Sequence, residues 1–127
     1  MDATFLKRWC ILFSALLFSF TAQARQNDGL SQSATVSVSH LPAEARQTLD
    51  LIRQGGPFPY AKDGVVFGNY ERNLPKQPRG YYHEYTVPTP RQRGRGAQRL
   101  IVGGKPVASG EYFYTPDHYR TFLRITQ

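Results

Sequence analysis

From residue 41 onward the apolar positions follow two different spacings. Leu41, Ala45, Leu49 and Ile52 recur every three or four residues, the period of one helix face. Pro42 suits a first helical position, Glu44 favours the positive end and Gly55-Gly56 stops the run, so the pattern predicts one helix over about 42–54. Beyond it no stretch keeps that period. Segments near 64–68, 81–87, 98–102, 111–114 and 120–125 are rich in Val, Ile, Tyr, Phe and Thr and are punctuated by Gly and Pro, which predicts strands. Thr35–Ser39 alternates as Thr-Val-Ser-Val-Ser, the pattern of a short edge strand. A helix followed by a run of strands implies an α+β domain over 35–127. Its N-terminal helix would pack on one face of an antiparallel sheet of about five strands, leaving the other face free to carry a site.

The first residues follow neither spacing. Lys7 and Arg8 precede an apolar run from Trp9 to Phe20, and Ala22-Gln23-Ala24 closes it. A charged start, a short apolar run and an Ala-x-Ala end read as a secretory signal over 1–24. The run is shorter than the roughly 18 residues needed to span a bilayer. Residues 25–34 are polar and read as a flexible segment. The mature protein is then expected to be secreted, monomeric and without membrane contact. It would lack cysteine, since Cys10 lies within the signal. The whole chain of 127 residues has a net charge of +7; removing 1–24 takes away two cations and one carboxylate and leaves +6. That excess points to an anionic partner. Scattered histidines and a lone cysteine exclude a His/Cys zinc cluster and an internal disulfide framework.

Alternation places the chemistry. In Tyr82-His83-Glu84-Tyr85-Thr86-Val87, Tyr85 and Val87 should face the helix, which puts Glu84 on the open face. Leu100 and Val102 read as core positions, so Arg99 faces outward, and Arg91, Arg93 and Arg95 crowd the preceding connection. Asp117-His118-Tyr119 falls in a turn before the last strand. A carboxylate, several arginines and a histidine on one surface are the parts needed for phosphoryl transfer from an RNA 2′-hydroxyl: a base, an acid and cations for the equatorial oxygens. The residue types alone are weakly specific, since an exposed Glu is usually solvated or half of a surface ion pair.

Phe67-Gly68-Asn69-Tyr70-Glu71-Arg72-Asn73-Leu74-Pro75, Tyr82-His83-Glu84-Tyr85 and Asp117-His118-Tyr119-Arg120-Thr121-Phe122 carry a more specific signal. In these motifs, in this order, the chain resembles the bacterial guanyl-specific ribonucleases, the barnase-like microbial ribonucleases, and most of all their secreted actinomycete branch. The resemblance runs from about Thr35 to the C-terminus and implies the microbial ribonuclease fold. It implies Glu84 as general base, His118 as general acid, and Arg95 and Arg99 as phosphate ligands, with no metal or other cofactor. It also implies a guanine site in the loop of Phe67, Asn69, Tyr70 and Glu71, where backbone N–H groups and the Glu71 carboxylate pair with the base, and a place for Tyr119 in the phosphate pocket. The implied partners are single-stranded RNA and a small acidic inhibitor protein. Gly68 and Tyr70 depart from the polar residue and arginine common in this loop, and Gln98 stands where that branch often has arginine. Ser37 stands at the first cysteine of its terminal disulfide, a bridge whose loss typically costs about 2–5 kcal/mol. Two other classes fit the composition. A non-catalytic RNA-binding module on the same fold would have no need of Glu84 and His118. A membrane-active protein would want a basic amphipathic helix, whereas 42–54 carries only Arg46 and Arg53 against Glu44 and Asp50.

Overall fold

Helix α1 forms over Ala43–Gln54, where the apolar period predicts it. Leu41, Ala45, Leu49 and Ile52 are all buried, so the periodic stripe is the packed face. Pro42 is the N-cap rather than the first helical residue: its backbone is extended (ψ 149°) while its carbonyl accepts from Arg46 N–H at 3.1 Å. At the other end Gly55 takes a left-handed φ of 83°, which a side chain would resist. There Gly55 N–H donates to Ile52 and Gly56 N–H to Leu51, closing the helix in a Schellman arrangement.

The computed structural model describes residues 34–105 and 110–127, all within one unit spanning Ser31–Gln127. The signal reading of 1–24 and nearly all of the polar segment 25–34 lie outside the described residues. The strands are β1 (Thr35–Ser37), β2 (Val65–Val66), β3 (Tyr82–Thr86), β4 (Arg99–Gly103), β5 (Glu111–Thr115) and β6 (Leu123–Thr126), in the sheet order β1-β6-β5-β4-β3-β2. The expected all-antiparallel sheet of about five strands is thus a six-stranded mixed sheet. The exception is β1, which runs parallel to β6 with Thr35 opposite Arg124 and Ser37 opposite Thr126. Parallel neighbours need a long connection, and nearly the whole domain intervenes between these two strands. At the position of the missing cysteine, Ser37 Oγ instead bonds His40 Nδ1 at 2.6 Å.

Strand alternation gives the sheet two different faces. Tyr85, Val87, Leu100, Val102, Tyr112 and Tyr114 form the main core under α1. The opposite face is not bare, as expected from sequence, but carries a second cluster of Leu74, Tyr82, Ile101 and Phe113. Phe67, Tyr81, Tyr119 and Phe122 pack against it from the loops. Phe113 has no exposed surface even though it faces away from the helix, so the loops 67–74 and 117–122 act as a second layer. Asp63 ties the chain before β2 to β3, accepting from Thr86 N–H at 2.7 Å and from Tyr60 N–H at 3.1 Å.

Candidate active site

Register across the sheet aligns the polar residues in two rows on the face away from α1. Glu84 stands opposite Ile101, which stands opposite Phe113. One pair further along, Thr86 stands opposite Arg99, which stands opposite Thr115. Residues directly opposite share a face, so Glu84 and Arg99 project to the same side from adjacent strands.

Glu84 is held from two directions. Its Oε2 accepts from the Tyr119 hydroxyl at 2.6 Å, and its Oε1 lies 3.8 Å from Arg95 Nη2. Its side chain is 13% exposed, enough to be reached from the pocket but not freely solvated. Arg95 is oriented by a bond from Nε to Thr86 Oγ1 at 2.9 Å. Arg99 does not face solvent: it is 3% exposed. Its Nη1 donates to the carbonyls of Gly96 and Gln98 at 3.0 and 2.8 Å. Arg95 Nη2 and Arg99 Nε are buried and have no hydrogen-bond acceptor among the described residues. Two guanidinium N–H groups beside a carboxylate, shielded from water and without acceptors, fit the oxygens of an anion.

Tyr119 links the parts. Its ring stacks on Phe67 with centroids 5.3 Å apart, and the His118 ring lies 4.8 Å from it on the rim. Burial first, and then the bond to Glu84, push the Tyr119 hydroxyl up to about 12, so it stays a proton donor at any working pH. His118 and Tyr119 both adopt left-handed backbone, φ 56° and 71°. Their turn is braced by His118 N–H to Ala97 O at 3.0 Å and Tyr119 N–H to Thr115 Oγ1 at 3.0 Å.

Next to Glu84 opens a pocket of about 290 Å³ whose walls include Phe67, Tyr70, Glu71 and Tyr119. Phe67 both lines it and packs on the second cluster, so its core and binding readings coexist. The Asn69 side chain is used within the loop, donating to Leu74 O at 2.9 Å and accepting from Leu74 N–H at 3.1 Å. That brace leaves the backbone N–H groups of Gly68 to Glu71 without an acceptor among the described residues. Tyr70 is 81% exposed and its ring lies over Gly68, in the space a Cβ there would enter. Arg79 Nη1 donates to the Tyr70 hydroxyl at 2.9 Å. The two departures in this loop are therefore coupled: the ring at 70 takes the space that a side chain at 68 would occupy.

Two residues of the motifs, given no role by the sequence, act as positioning residues. Asn73 Nδ2 bridges Glu71 Oε2 and Tyr119 O at 3.5 and 3.4 Å, joining the two loops that flank the pocket. Asp117 accepts from Thr121 N–H at 2.9 Å, Thr121 Oγ1 at 2.7 Å and Thr115 Oγ1 at 3.1 Å. An Asp four residues before a Thr in a turn is a local signal for such a brace. The bonds from Thr121 hold the Asp117 carboxyl below the usual range. A depressed folded value stabilises the fold above the ordinary carboxylate range and loses that contribution as pH falls through it. Asp117→Asn should therefore flatten the acid limb of the melting temperature. Loosening the His118 turn should also lower kcat several-fold. An unchanged acid limb would show that the brace is not formed in solution.

A family model described as ribonuclease matches residues 23–126. The chain is 57% identical over 95 residues to guanyl-specific ribonuclease Sa of Kitasatospora aureofaciens, covering 75% of this chain and 96% of that one. It is 54% identical over 91 residues to guanyl-specific ribonuclease St of Saccharopolyspora erythraea, covering 72% and 85%. Among solved structures, ribonuclease Sa2 in complexes with mononucleotides matches with a TM-score of 0.71 and 48% identity, over 75% of this chain and 95% of that one. Ribonuclease Sa2 with guanosine-2′-cyclophosphate matches with a TM-score of 0.67 and 49% identity, over 73% and 96%.

Proposed function

The chain belongs to the ribonuclease family, and on that premise we propose that it is a guanyl-specific endoribonuclease cutting single-stranded RNA on the 3′ side of guanosine. The observation that carries the reading is the pair of buried guanidinium nitrogens near Glu84, Arg95 Nη2 and Arg99 Nε, neither of which has a hydrogen-bond acceptor among the described residues. In the first step Glu84 takes the 2′-hydroxyl proton, the 2′-oxygen attacks phosphorus, and the bond to the 5′-oxygen breaks as His118 protonates it. The product is a 2′,3′-cyclic phosphate. In the second step His118 takes a proton from water, the water oxygen bonds phosphorus, and the bond from phosphorus to the 2′-oxygen breaks as Glu84 returns a proton to that oxygen, leaving a 3′-phosphate. Arg95 and Arg99 stabilise charge on the phosphate oxygens as it develops. Tyr119, donating to Glu84, orients the base and lines the phosphate site.

Guanine fits the pocket between Phe67 and Tyr70, its O6 and N7 toward the free N–H groups of the Asn69 loop and its N1–H and amine toward Glu71. Adenine would set a lone pair against that carboxylate. Glu71→Ala should thus lose about 10–100-fold in guanine-over-adenine preference, while Glu84→Gln keeps the preference and loses rate. Digestion of a mixed-sequence RNA in a chelating buffer, with identification of the product 3′ ends, tests the whole reading. Ends spread evenly over four bases would overturn the guanine assignment, and no cleavage at all would leave a binding module. The N-terminal pattern supports export by a signal peptide, and the basic surface supports a monomer able to bind a small acidic inhibitor over the site.

A further inference from the structure

Tyr70 also lines a second depression, of about 390 Å³. It shares Phe67, Gly68, Asn69 and Tyr70 with the base pocket, but neither Glu84 nor Tyr119 lines it. Its charged members are Arg72, Lys76 and Arg79, and no carboxylate lines it. Arg79 is engaged with Tyr70, whereas Arg72 and Lys76 have no ion-pair partner among the described residues. The segment bearing the cations is anchored at both ends: Tyr82 donates to Pro75 O at 2.6 Å, and Tyr81 N–H to Pro78 O at 3.1 Å. Pro75 and Pro78 limit its backbone freedom further. A fixed group of cations around an aromatic wall is how a protein tracks a single strand, with charge on the backbone and rings on the bases.

We propose that this cleft binds the nucleotide on the 5′ side of the cleaved guanosine, with Arg72 and Lys76 on its phosphate. The inference rests on the guanyl-ribonuclease reading above and extends it from one nucleotide to two. Direction follows from what lines each cavity. The leaving 3′ nucleotide hangs from the scissile phosphate, among Glu84, Arg95, Arg99 and His118, none of which borders the cleft. The 5′ side of a guanosine held in the first pocket is the side not committed to the scissile phosphate, and the cleft adjoins that pocket through the shared Tyr70 wall. Contacts so far from phosphorus bind ground state and transition state alike, so they act through KM.

Steady-state kinetics on three substrates test this: a guanosine dinucleotide, the same extended by one 5′ nucleotide through a phosphodiester, and the same extended through an uncharged methylphosphonate. The phosphodiester extension should raise kcat/KM about 3–10-fold, mainly through KM, with the gain shrinking as salt rises. The methylphosphonate extension should give no such gain. The double variant Arg72→Gln/Lys76→Gln should lose the gain and cleave the dinucleotide at the wild-type rate. No gain in the wild type, a gain that survives in the double variant, or an equal loss on the dinucleotide would each overturn the cleft assignment. Failure of the wild type to cut the dinucleotide after guanosine would overturn the parent reading itself.

Discussion

Glu84→Gln is expected to lower kcat at least ~10²-fold while the fold survives. The amide matches the carboxylate in shape and still accepts from the Tyr119 hydroxyl through its oxygen, so the 2.6 Å contact and the stacked Phe67–Tyr119 pair can persist. It cannot take a proton from the 2′-hydroxyl. The ion pair with Arg95, 3.8 Å long and partly exposed, is a minor loss to stability. Single-turnover cleavage of a defined guanosine-containing RNA, with a melting curve as control, separates the two effects. Near wild-type turnover in a well-folded variant would remove Glu84 from proton transfer. His118→Gln should show a comparable rate loss, and the wild-type rate should rise and then fall with pH, because one partner must be ionised while the other is protonated.

Arg99→Met is expected to reduce kcat about 10²–10³-fold, with a smaller change in KM. Arg99 is buried, no carboxylate lies within ion-pair distance of it among the described residues, and its Nε has no acceptor. An unpaired buried cation is unfavourable in the free protein and is compensated when an anion arrives. The interaction therefore has the form that favours the more highly charged transition state over the ground state. A second measurement is independent of turnover. Millimolar phosphate should raise the melting temperature of the wild type by mass action, and that rise should vanish in the variant. Equal stabilisation of both proteins would show that the anion is held elsewhere.

The helix was legible because one face of α1 is buried and the other is not, which prints the helical period directly on Leu41, Ala45, Leu49 and Ile52. Alternation in β3 likewise sorted Tyr85 from Glu84. Where both faces of a strand are covered, that signal fails. Ile101 and Phe113 look like any core residues, so nothing local announced a second cluster on the face that carries Glu84. Arg99 was assigned outward by the same rule. Its face is right, but its burial depends on the loops that close over it. The parallel pairing of β1 with β6 depends on contacts about 90 residues apart in sequence, for which short-range pattern has no vocabulary. The motifs give roles to Phe67, Glu71 and Tyr119 but none to Asn73 or Asp117, which stand in the same motifs and hold other residues in place.

The two unlike faces of the sheet have a consequence for how such a protein can be altered. Residues of the core between α1 and the sheet, such as Leu49, Leu100 and Val102, do not line the pocket, whereas Ile101 and Phe113 support the rings that form it. The sheet is in effect a partition between durability and chemistry. Cavity-filling or helix-stabilising changes on one side can lengthen the working life of the enzyme with little change in what it cuts. Changes of the same size on the other side will alter selectivity and turnover together with melting, because Ile101 and Phe113 are themselves fully buried. Adaptation to heat and adaptation to a new base can thus proceed on separate sets of residues, a freedom that a protein with its site embedded in its only core does not have.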